Sequence, residues 1–181
     1  MKKMLGAFLV LCMAATAAHG AGGKIGFVDT QSAFDKTKLG KKYQGILKEY
    51  FDSRKKILDL DADEIQKLRE DYTKQSSILK PDARKEKEEM ISRKINDFEK
   101  KRNEFNNELA KKNDELSSEF NQEMTAVLKD LAKKEKISLI LNRTISIMSK
   151  GEVPSVLYGE ADLDLTEQLI AELDKKFDAK K

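Results

Sequence analysis

Residues 40–136 run almost without punctuation. No glycine occurs between Gly45 and Gly151, and Pro81 is the only proline between them. Proline removes a backbone donor and clashes with the preceding turn, so a long helical run breaks there. The pattern predicts two long antiparallel helices over 40–136, joined at a tip near 75–83. The rest of the chain has to assemble around the base of that hairpin.

Apolar spacing sets the character of the arm. Phe51, Leu58, Ile65, Tyr72 and Leu79 recur every seven residues, while the companion position reads Leu47, Arg54, Asp61, Leu68 and Gln75. The second half gives Ile91, Ile95, Phe98, Arg102, Phe105, Leu109, Lys112 and Leu116, in steps of four and three. Phe120, Met124, Val127, Leu128 and Leu131 then shift the phase, a stutter that changes the winding. Each half has one narrow stripe to cover, and the other half is its nearest cover. Half of the residues from Asp59 to Ser118 are charged. So little apolar surface cannot anchor a core, which predicts a slender arm of roughly 55–60 Å that firms toward Phe120–Leu131.

Function classes narrow quickly. Lys2 and Lys3, the apolar stretch Met4–Ala18 and the small residues Ala18, Gly20 and Ala21 read as a secretion signal over 1–21. Cys12 and His19, the only cysteine and histidine, would leave with it. The remaining chain has no thiol or imidazole for disulfides, zinc, haem or Cys/His and Ser/His catalysis. Its net charge falls from +3 to +1 with the loss of Lys2 and Lys3, without the basic excess of a nucleic-acid binder. No G-x-x-x-x-G-K-[ST] phosphate loop occurs. The carboxylates sit on helical faces with opposite charges three or four residues away, a pattern of solvation and helix pairing. The chain reads as a binding protein with no catalytic residue, no cofactor, no metal and no nucleic-acid partner.

The two ends carry the remaining elements. Ile25–Val28 predicts a strand, Gln31–Asp35 a short helix, and Thr37 a cap for the first arm. Gly40 is expected to weaken that arm's first turn, so that the helix settles only after it. Lys133, Lys134 and Lys136 suit the negative pole of the second arm. Beyond them, Ile137–Leu141, Thr144–Met148 and Val156–Tyr158 predict strands, with a turn at Lys150–Pro154. Asp164 or Thr166 can cap a last amphipathic helix carrying Leu169, Ile170, Leu173 and Phe177. Segments 22–39 and 137–181 meet only if the hairpin returns the chain to its start. A body that small buries a low fraction of its surface, and oligomerisation is the obvious remedy. The predicted fold is mainly α with a small β body, a coiled-coil arm projecting from a β-rich base.

At the tip, Lys74, Lys80, Arg84, Lys85 and Lys87 face only Asp82 and Glu86, a local +3. Contact with anionic lipid, lipopolysaccharide or an acidic client is one reading, and solvation of an exposed helix end is the other.

Lys24-Ile-Gly-Phe-Val-Asp-Thr-Gln31, Val156-Leu-Tyr158 and Asp164-Leu-Thr166 with the helix after it resemble the periplasmic chaperones of the Skp/OmpH family. The element order matches over residues 22–181, except that Thr144–Pro154 reads as an insertion. The resemblance implies a homotrimer whose arms enclose a cavity for unfolded outer-membrane β-barrel proteins, held without ATP or metal in the periplasm. It implies that Ile25, Phe27, Val28, Leu139, Leu141, Val156 and Tyr158 build the trimer body, and that the tips and inner arm faces meet the client. The heptads alone are too irregular to choose a strand number. Two rivals are a structural coiled-coil spacer in the envelope and a membrane- or lipopolysaccharide-binding protein acting through the basic tips.

Overall fold

The computed structural model describes residues 23–147 and 151–180. The expected signal, Met148 and Lys150 lie outside the described residues. In order come β1 (Lys24–Val28), α1 (Thr30–Lys36), α2 (Lys38–Gln75), α3 (Pro81–Lys134), β2 (Ile137–Asn142), β3 (Thr144–Ile147), β4 (Gly151–Pro154), a single 3-10 turn at Ala161–Leu163, and α4 (Thr166–Asp178).

The arm is the connection that makes the sheet possible. β1 and β2 pair in parallel, Ile25 beside Leu139 and Phe27 beside Leu141. Parallel neighbours need a long crossover, and here the whole α2–α3 hairpin supplies it. β1's second edge is occupied as well. Leu165 N–H donates to the Phe27 carbonyl at 2.9 Å, and Asp29 N–H to Thr166 Oγ1 at 2.9 Å.

Local chemistry sets the helix starts. Asp29 Oδ1 accepts from Ser32 N–H at 2.8 Å to cap α1, and buried Thr37 Oγ1 accepts from Gly40 N–H at 3.1 Å to cap α2. Gly40 does not delay the helix, contrary to expectation. α2 begins at Lys38, and Gly40 is where α1 crosses it: a Cβ there would lie 1.7 Å from the Phe34 carbonyl oxygen. Pro81 opens α3 with Asp82 in its first turn, as the sequence predicts. Lys136 takes the left-handed conformation just past the end of α3 (φ 55°), a place that usually favours glycine.

The core lies at the base of the arm. Val28, Ala33 and Tyr43 meet Leu116, Phe120, Met124, Val127 and Leu131 of α3, closed over by Leu165, Leu169 and Leu173. Phe34 stands edge-on to Phe120 with ring centroids 4.9 Å apart. The shifted apolar phase after Leu116 is therefore core, as its density suggests.

Two expected elements differ. Val156–Tyr158 forms no strand: Val156 N–H donates to the Arg143 carbonyl at 3.3 Å and the chain then crosses over Phe27 at Gly159, so the segment joins no ladder among the described residues. Gly151–Pro154 is a strand rather than a turn, pairing antiparallel with Thr144–Ile147. Pro154 is tolerated there as the last residue of an edge strand. The expected caps of the last helix are also modified: Asp164 Oδ1 accepts from Thr166 N–H at 2.9 Å, but Leu165 holds the position before the first turn.

Candidate functional site

Strand alternation divides the β1/β2 pair into two faces. Val28 and Gly26 face the core, and a Cβ on Gly26 would lie 3.1 Å from Leu165 Cδ1. The opposite face carries Ile25, Phe27, Leu139 and Leu141. Ile25 and Leu139 are each 49% exposed and Leu141 41%. Phe27 is covered differently. Gly159 passes so close that a Cβ would sit 2.3 Å from the Phe27 ring, and the Arg143 guanidinium lies 5.6 Å from its centroid. Beyond that crossing Leu157 and Tyr158 stand out in solvent, while Val156 is half-buried. The outer edge of β2 has no partner among the described residues. An apolar face beside an open, apolar edge strand is a template for pairing with another chain.

The arm is built on the opposite principle. Away from the base only Ile65 and Phe105 are buried, with Phe51 5.8 Å and Tyr50 6.3 Å from the Phe105 ring. Polar pairs fill the rest. Lys101 meets Asp61 at 2.7 Å, Lys94 meets Glu64 at 2.8 Å and Arg54 meets Glu108 at 3.4 Å. Tyr50 and Tyr72 donate to Glu108 and Glu88. The hydrogen bond to Glu64 raises the Lys94 pKa, and that to Glu88 raises the Tyr72 pKa. Arg54 and Asp61 occupy the seam as their spacing predicts, but Arg102 turns outward to pair with Glu99.

A long helical hairpin on a small strand body has a known counterpart. The family described as outer membrane protein (OmpH-like) matches residues 24–173. This chain belongs to the OmpH-like family. The crystal structure of an OmpH-like protein from Caulobacter crescentus CB15, described as a candidate outer membrane chaperone, covers 85% of each chain at a TM-score of 0.73. Identity is 16%, so the likeness is one of fold. No curated protein matches.

The OmpH-like arm ends in a tip whose five predicted basic residues are not equivalent. Arg84 donates to the Ser76 carbonyl at 2.7 Å and Lys87 to Gln75 Oε1 at 2.8 Å, so these two staple the helix ends together. Lys74, Lys80 and Lys85 make no ion pair among the described residues. Ile78 stands between α2 and α3, 82% exposed.

One feature of the OmpH-like body escaped the sequence reading. Glu123 accepts from Lys176 at 2.7 Å and Lys180 at 2.5 Å, and these hydrogen bonds lower its pKa. Nearby, Tyr43 donates to Glu119 at 2.9 Å; burial first, then that bond, raises its pKa to about 12. Together these groups wall a cleft of about 510 Å³ between α2, α3 and α4. The i,i+4 spacing of Glu119/Glu123 and of Lys176/Lys180 was the available signal. Among the described residues no group of three acids, histidines or cysteines gathers to hold a metal.

Proposed function

We propose that this chain is an ATP-independent periplasmic holdase, a trimer whose arms enclose unfolded outer-membrane β-barrel proteins and keep them from aggregating. One observation carries the reading: a body with an uncovered apolar sheet face and an open β2 edge bears a slender arm with a polar seam. The face needs a partner and is compatible with the body residues that the resemblance assigns to self-assembly. The arm supports the client half of the reading. Few apolar side chains on a charged, loosely sealed hairpin make many weak contacts, which can hold varied chains and release them. The description of the Caulobacter protein as an outer membrane chaperone agrees with this role.

The test is native mass spectrometry of the exported chain, before and after dilution of a urea-unfolded barrel protein into it. A trimer that gains one barrel chain and keeps it soluble is expected. A trimer that ignores the barrel leaves the envelope-spacer reading in its place. A second reading is favoured by Lys74, Lys80 and Lys85 standing unpaired around exposed Ile78: the tips bind lipopolysaccharide or an anionic membrane surface. That binding disappears at high salt, whereas client holding persists in part through apolar contact.

A further inference from the structure

The β3–β4 hairpin, within the stretch 144–154 that the sequence reads as an insertion, has no role in the reading above. Its root is fixed at one residue. Arg143 N–H donates to the Val28 carbonyl at 2.6 Å, and the Arg143 carbonyl accepts from Ser155 N–H at 3.0 Å and Val156 N–H at 3.3 Å. The Arg143 guanidinium reaches Asp164 at 3.3 Å, and Ser155 Oγ donates to the Asn142 carbonyl. Both legs of the hairpin thus leave the body from a single clamp at the end of β2.

The hairpin has a distinct apolar side. Pairing sets Ile145 opposite Val153 on one face, with Ser146 opposite Glu152 on the other. Ile145 is 49% exposed, and Glu152 is the only charged residue in the two strands. A two-stranded hairpin with one apolar face open to water is marginal alone. Val153 is half-buried in the pair, and among the described residues no other element packs broadly on this face.

We infer that the β3–β4 hairpin is a self-association element, its Ile145–Val153 face seating on the exposed Ile25, Leu139 and Leu141 of a second copy. The inference rests on the oligomer in the proposed function. Two arguments select a second copy. Each body displays both surfaces, apolar and β in character, and neither covers the other within one chain. Joining two different surfaces gives a head-to-tail contact, the kind that closes into a ring. The near absence of charge also separates the hairpin from the arm and its basic tip, about 55 Å away along α2.

The test compares the full exported chain with two variants in sedimentation equilibrium: Ile145→Ser with Val153→Ser, and replacement of residues 144–154 by a short Gly-Ser link. Both are expected to keep the wild-type helix content by circular dichroism and to raise the dissociation constant of the oligomer at least about tenfold. Mixing exported Ile145→Cys and Leu139→Cys chains, each with that cysteine alone because Cys12 leaves with the signal, is expected to give a cross-linked pair on oxidation. An unchanged dissociation constant in both variants, or no cross-link, overturns the inference and leaves the proposed oligomer standing. Wild type that sediments as a monomer overturns both.

Discussion

Base and arm are made of the same two helices, yet they are held together by different forces. At the base, Leu116, Phe120, Met124, Val127 and Leu131 are all buried, in one cluster with Leu165, Leu169 and Leu173. Along the arm, Ile65 and Phe105 are the buried residues, and Asp61, Glu64, Lys94, Lys101 and Glu108 supply the cross-links. Apolar burial is not weakened by charge screening, whereas exposed ion pairs are individually weak and screened. One chain therefore combines a firm anchor with a compliant reach. Compliance is what the proposed holding of varied, unfolded clients requires.

Truncation should expose the contrast most strongly. Leu169→Ala removes a side chain with 0% exposure from the base and is expected to cost about 2–5 kcal/mol in urea unfolding. Ile65→Ala, the same kind of change in the arm, is expected to leave the body's transition within about 0.5 kcal/mol and to speed amide exchange only in α2 and α3. Equal losses at the two sites would erase the distinction. Gly40→Ala strikes the junction, where the new Cβ must displace the Phe34 carbonyl, and should cost about 1–3 kcal/mol by the same assay. Lys136→Gly should act the other way at the second junction. Relief of its left-handed backbone is expected to stabilise the fold by up to about 1 kcal/mol, read as a higher urea midpoint.

Acid should loosen α4 through Glu123. Its folded pKa lies below the ordinary carboxylate value because Lys176 and Lys180 bind the ionised form. The stabilisation is therefore present above the unfolded value, roughly pH 4.3, and is lost as pH falls through the folded pKa. Glu123→Gln should lower stability at pH 7 by less than about 1 kcal/mol and flatten this acid dependence, as measured by urea melts at pH 7 and pH 3. Salt makes the gentlest probe. At 1 M, where the screening length is about 3 Å, amide exchange should quicken in the arm between residues 54 and 108 and hold steady in α4.

Much of this architecture was legible from spacing. A glycine-free run broken at Pro81 admits little besides a helical hairpin, and the heptads located Ile65 and Phe105 on its seam. Phe120 to Leu131 announced the base by apolar density. Among the surface residues, Ile25, Leu139 and Leu141 are found together on one uncovered face, and Tyr158 is exposed beside the crossing at Gly159. Val28, assigned to the same body, is instead 2% exposed inside the chain's own core. Alternation along a short strand does not say which face the long crossover will cover.

The sequence by itself determined the arm's two helices, the break between them at Pro81, the cap at Thr37, and the poverty of apolar residues along the arm. These depend on residues within a turn or two of one another, where spacing is geometry. Tertiary structure alone decided the rest. Gly40 reads as a weak point until α1 is seen crossing it, and Val156–Tyr158 reads as a strand until its backbone is seen tied to the Arg143 carbonyl and carried across Phe27 at Gly159. At Arg143 the sheet, the hairpin and Asp164 converge, a meeting that no local spacing encodes. In each case the deciding neighbour is brought from a distance by the fold.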